Sequence, residues 1–100
     1  QLRSKGEIVV DLIVKNLAMS SAMVVKHREK KDPLEYQSKR IKIRCIELLK
    51  LLDSKQVKNR LSLLLDATKG NGKDLKFIDR WGYNEKQIEA ISESIYEVAA

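Results

Sequence analysis

Residues 8–25 constrain this chain more than any other stretch. Apart from Asp11, Lys15, Asn16, Ser20 and Ser21, every residue there is apolar. At helical spacing Glu7, Asp11 and Lys15 fall on one narrow edge. Ile8, Val9, Val10, Leu12, Ile13, Leu17, Met19, Met23 and Val24 spread over most of the remaining circumference. A helix apolar over so much of its surface is normally enclosed by other helices. Its β-branched residues give it middling intrinsic propensity, so burial has to hold it. The expectation is a central helix from about Glu7 to near Arg28, wrapped by its own chain. On that placement Leu12→Asp or Ile13→Asp unfolds the protein. A bilayer span is the rival reading, and the length reaches its lower limit. However, Asp11 and Lys15 would each cost about 2.5–3.5 kcal/mol near a bilayer centre. The amphipathic helices that follow would also lose their core, so no membrane span is expected.

The remaining chain reads as helices divided by short breaks. Asp32-Pro33-Leu34-Glu35 is a helix start, with Asp32 as cap, Pro33 at the first helical position and Glu35 reaching back. The helix it opens runs to about Leu52, with Ile41, Cys45, Leu48, Leu49 and Leu52 expected inward. Asp53 and Ser54 offer the next cap. A third helix follows, with Val57, Leu61, Leu64, Leu65 and Thr68 on its apolar stripe and Lys69-Gly70-Asn71-Gly72 as its stop. Asp74 is placed to cap a short segment, Leu75 to Trp81, which Gly82 ends. Asn84-Glu85-Lys86-Gln87 caps a last helix running to about Val98, with Ile88, Ile91, Ile95 and Val98 inward. One Pro and four Gly in 100 residues leave little punctuation for a many-stranded sheet. The fold expected is all-α: one domain over residues 1–100, a bundle of four main helices plus one short helical turn. Its start at Gln1 is compatible with excision from a longer chain.

Catalytic and metal chemistry find little support. His27 is the only histidine and Cys45 the only cysteine, so the common four-ligand Cys/His zinc sites cannot be assembled. His27 is expected as a solvated helix-end residue and Cys45 as a small core residue. Gly70-Asn71-Gly72-Lys73-Asp74 faintly resembles a phosphate loop. It lacks the Walker spacing, the following Ser or Thr and the preceding strand, so a helix stop with a turn is the better account. No enzyme activity and no cofactor are expected. A single cysteine cannot form an internal disulfide, which fits an intracellular setting, cytoplasmic or nuclear.

Charge is where the sequence points to partners. The net charge is +6 but uneven: residues 1–60 hold 15 Lys or Arg against 7 Asp or Glu, and residues 61–100 hold 5 against 7. On the outer face of the second helix lie Lys39, Arg40, Arg44 and Lys50, interrupted by Glu47. Ile43 stands among them where a polar residue belongs. Leu51 and Leu63 are likewise off the main stripes. Glu85, Glu89, Glu93 and Glu97 recur every fourth residue, an acidic docking stripe on the last helix for a basic surface of this chain or another. The function expected is a non-catalytic protein-interaction module, adaptor, regulatory or scaffolding. A partner helix or acidic segment would pack on the second helix, with Ile43 as apolar anchor and basic residues at its rim. The alternative is RNA or DNA binding through phosphate contacts of the same basic face. Homo-oligomerisation is a further expectation, open on sequence alone.

Overall fold

Each break between helices has a local cause. The computed structural model describes residues 5–70, 72 and 74–99. Residues 1–4, Asn71 and Lys73 of the glycine turn, and Ala100 lie outside the described residues. Among the described residues every regular element is helical: α1 (Lys5–Glu29), α2 (Leu34–Leu51), α3 (Ser54–Thr68), α4 (Leu75–Trp81) and α5 (Glu85–Ala99).

α1 ends in a Schellman turn. The Asp32 amide donates to the His27 carbonyl at 2.8 Å and the Lys31 amide to Arg28 at 3.1 Å, with Lys31 in the left-handed region at φ 53°. Glycine is the usual residue there because a Cβ is strained at positive φ. Lys31→Gly should therefore raise stability by about 1 kcal/mol, seen as a melting point roughly 4–8 °C higher. A fall would mean that the lysine side chain contributes more than the strain removes.

Asp32 then caps α2, its Oδ1 accepting the Leu34 amide at 2.9 Å. Glu35 does not complete the reciprocal bond expected of it, because it accepts from Arg28 Nε at 2.9 Å and ties α2 to the end of α1. Asp53 caps α3 by accepting the Lys55 and Gln56 amides. Gly70, at φ 88°, follows α3, and Gly82, at φ 62°, stops α4. A full capping box opens α5: the Asn84 amide donates to Gln87 Oε1 and the Gln87 amide to Asn84 Oδ1, both at 2.9 Å.

α1 packs against α2, α3 and α5 and supplies the middle of the core: Val10, Val14, Leu17, Ala18, Ala22 and Val24 are buried. The serines inside the apolar stretch have a packing role. Ser21 Oγ lies 2.6 Å from Ser94 Oγ, and Ser94 donates onward to the Ala90 carbonyl. Small residues let α5 cross α1 closely, and this relay satisfies the buried hydroxyls. Gln87 Nε2 also donates to the Ala22 carbonyl at 3.2 Å, a second tie at the same crossing. Val57, Leu61, Leu64 and Ala67 of α3, Ile78 of α4, and Ile91, Ile95 and Val98 of α5 close the core. Phe77 and Tyr83 meet edge to face at 6.5 Å beside it.

The enclosure expected for α1 is incomplete. Ile8, Val9 and Leu12 are exposed, and Met19 and Met23 only half-buried. Length explains part of this. The 25 residues of α1 reach about 37 Å and the 18 of α2 about 27 Å, so the first two turns of α1 outrun their hairpin partner. Leu12 is 59% exposed, so the expectation that Leu12→Asp unfolds the protein is corrected: a charge there meets water. By length and composition alone α1 could cross a membrane; in this fold 44% of its most apolar 18-residue window is buried within the protein. The radius of gyration, 13.1 Å, is that of a compact chain of this size, about 13 Å, so the exposure does not come from loose packing.

Candidate interaction surface

α2 is the least enclosed of the long helices. Only Cys45, Ile46 and Leu49 of its residues are buried. Cys45 sits inward as expected of a small core residue, and burial pushes its thiol pKa up. The inward edge differs from the one expected. Ile41 and Leu48 are exposed and Ile46 takes the inner position. The neighbouring helices cover the side of the apolar stripe that holds Cys45 and Leu49 and leave the side with Ile41 and Leu48 open.

Two exposed faces result. One flank carries Leu34, Ile41, Leu48 and Leu51, the last 82% exposed. α1 and α2 form an antiparallel hairpin, so Leu48 and Leu51 stand at the same end of the molecule as Ile8 and Leu12. The outer face carries Tyr36, Lys39, Arg40, Ile43, Glu47 and Lys50, with Arg44 on its edge. Ile43 is 45% exposed in the midst of these charges. A shallow depression of about 420 Å³ runs beside it, lined by Gln37, Arg40, Ile41, Ile43, Arg44 and Glu47. Arg40 leans over the Tyr36 ring at 6.0 Å. Among the described residues no ion pair engages Lys39, Arg40, Arg44, Glu47 or Lys50. Leu63, the third off-stripe residue, is exposed on α3, away from this face.

The acidic stripe also stands open. Glu85, Glu89, Glu93 and Glu97 are all exposed, with Tyr96, 57% exposed, on the same outer side of α5. No ion pair joins them to α2 among the described residues. The nearby Lys86 is taken by Glu29 at 3.9 Å.

A second concavity, about 570 Å³, lies between the start of α1, α3 and the start of α4. Its lining is Glu7, Val10, Asp11, Gln56, Asn59, Arg60, Leu63 and Asp74. Arg60 is its keystone, with a side chain only 10% exposed. Its Nε donates to Asp11 at 2.8 Å, and its two terminal nitrogens grip the Asp74 carboxylate, Nη2 at 3.1 Å and Nη1 closer. Lys15 approaches Asp11 at 3.2 Å. Burial pushes the Asp11 carboxyl pKa up, but the hydrogen bonds and charges of Arg60 and Lys15 together carry it below the ordinary value. Asp74 therefore does not cap α4 as the sequence suggests, because Arg60 claims both its oxygens. The sequence reading missed this triad. The signal was available in Asp11: a carboxylate within an apolar helix requires a partner. The triad's charges satisfy one another, which suits a structural clasp better than proton transfer.

His27 corrects another expectation. It is buried rather than solvated, with Nδ1 3.5 Å from the Asp32 carboxylate and no hydrogen bond. Among the described residues no group of three His, Cys, Asp or Glu side chains is placed to hold a metal ion.

One family model, described as Uncharacterised conserved protein UCP020893, matches residues 1–98 of the chain. No curated protein and no solved structure matches it.

Proposed function

The chain belongs to the family of the uncharacterised conserved protein UCP020893, and from its geometry we propose that it is a non-catalytic helical interaction module whose docking element is α2. Four longer helices form the scaffold and the seven-residue α4 links two of them. The observation that carries the reading is the narrow inner edge of α2. Three residues are buried, while Leu34, Tyr36, Ile41, Ile43, Leu48 and Leu51 face solvent. Single exposed apolar residues are ordinary, but six on one helix are not. A partner helix or acidic segment lies along the outer face. Ile43 enters it as the anchor, and Lys39, Arg40, Arg44 and Lys50 steer and orient it from the rim.

Phosphate binding by the same lysines and arginines is the competing reading, and the two differ in their need for Ile43. The test is Ile43→Asp in the full chain, with helix content and melting curve checked against wild type. Capture of a protein partner from the source lysate should fall about tenfold or more, as for a hot-spot residue. Unchanged capture by the folded variant would count against α2 as the docking element. Retention of generic RNA or duplex DNA by that variant, with a steep salt dependence, would favour the competing reading.

A further inference from the structure

We propose that the partner of the α2 outer face is a second copy of this chain, which presents its α5 acidic stripe. This rests on the reading of α2 as the docking helix and names its occupant. The two faces match in charge, length and composition. Among the described residues Lys39, Arg40, Arg44 and Lys50 have no carboxylate partner, and Glu85, Glu89, Glu93 and Glu97 have no cation. From Tyr36 to Lys50 is about 21 Å along α2, and from Glu85 to Glu97 about 18 Å along α5. Each face also sets exposed apolar side chains among its charges, Ile43 on α2 and Tyr96 on α5.

Within one molecule the two faces do not meet: α2 and α5 pack against each other through their buried sides, and no ion pair joins their exposed ones among the described residues. That adjacency suits a two-fold axis. Rotation about it lays α2 of each copy on α5 of the other, so both contacts form at once and the assembly closes as a dimer. Ile43 of one copy then lies against the α5 stripe of the other, and the charged residues ring that contact.

Sedimentation of the full chain tests this, at low and high salt and over a range of concentrations. The wild type should dimerise at low salt and dissociate as salt rises, because exposed charges are screened. Two reversed variants carry the decisive comparison: Lys39→Glu with Arg40→Glu and Arg44→Glu, and Glu89→Lys with Glu93→Lys and Glu97→Lys. Each alone presents like charges to its own copy and should be monomeric. Mixed in equal amounts they restore opposite charges at both contacts and should form a heterodimer. If a reversed variant loses its helix content, the milder set Lys39→Gln with Arg40→Gln and Arg44→Gln replaces it and should weaken the dimer at least tenfold. A monomeric wild type at low salt, a dimer that persists in both reversed variants, or a mixture that stays monomeric overturns the proposal. A monomeric protein that still loses a foreign partner on Ile43→Asp would sink self-association alone and leave the docking reading standing.

Discussion

Arg60→Met should destabilise the protein by about 3–5 kcal/mol, enough to leave much of it unfolded at moderate temperature. The methionine fills similar space, so the loss measures electrostatics more than packing. What it leaves behind is the Asp11 and Asp74 carboxylates, both largely shielded from water, with Lys15 still beside Asp11. The pH dependence should change with it. In the wild type the Asp11 pKa is depressed on folding. Its contribution is therefore complete above the ordinary carboxylate value and disappears as pH falls through the lowered one. Without Arg60, burial acts on Asp11 with far less opposition, and protonation relieves the buried charge. Lowering the pH towards 4 (on the order of the ordinary carboxylate pKa) should then narrow the gap between variant and wild type. Denaturant melts of both proteins across that range check this. A variant within about 1 kcal/mol of wild type at neutral pH would show that Arg60 is an ordinary surface residue.

Leu17→Ala should cost about 2–5 kcal/mol, because its side chain is fully buried in the core of α1 and the cavity left behind is lined by packed neighbours. Leu12, five residues away on the same helix, provides the contrast. Leu12→Ala should stay within about 0.5 kcal/mol of wild type, and Leu12→Asp should keep a cooperative transition. Chemical denaturation of the three variants measures the difference directly. Equal losses at both positions would mean that α1 is enclosed on all sides, against the exposure of Ile8, Val9 and Leu12.

That contrast also marks how far the sequence could be read. The helical character of the chain was legible because Asp53, Asn84 with Gln87, Gly70 and Gly82 are local signals whose bonds or dihedral angles lie within a few residues of one another. The burial of Leu49, Leu61 and Ile91 was legible for a similar reason, since each lies on an apolar stripe. Exposure on α1 was not. It depends on the relative lengths of α1 and α2, and nothing near Ile8 or Leu12 encodes where a partner helix ends. The choice of Ile46 over Ile41 and Leu48 had the same cause. Of the candidate surface, the sequence showed Ile43 among its charges and the spacing of the four glutamates. It did not show that these faces belong to adjoining helices. The Arg60 clasp joins residues 49 and 14 positions away, a pairing that no local pattern announces.

The slender inner edge of α2 ties recognition to persistence. A helix whose buried side chains are Cys45, Ile46 and Leu49 has the smallest buried share of the long helices, and elements with few buried apolar contacts open first. Whatever settles on its outer side adds its own binding free energy to the folded state, by an amount that grows with the occupant's concentration. With α2 as the docking helix, solitary molecules would shed it readily and be cleared, while engaged ones would last. Cellular abundance would then follow the supply of mates as much as the rate of synthesis.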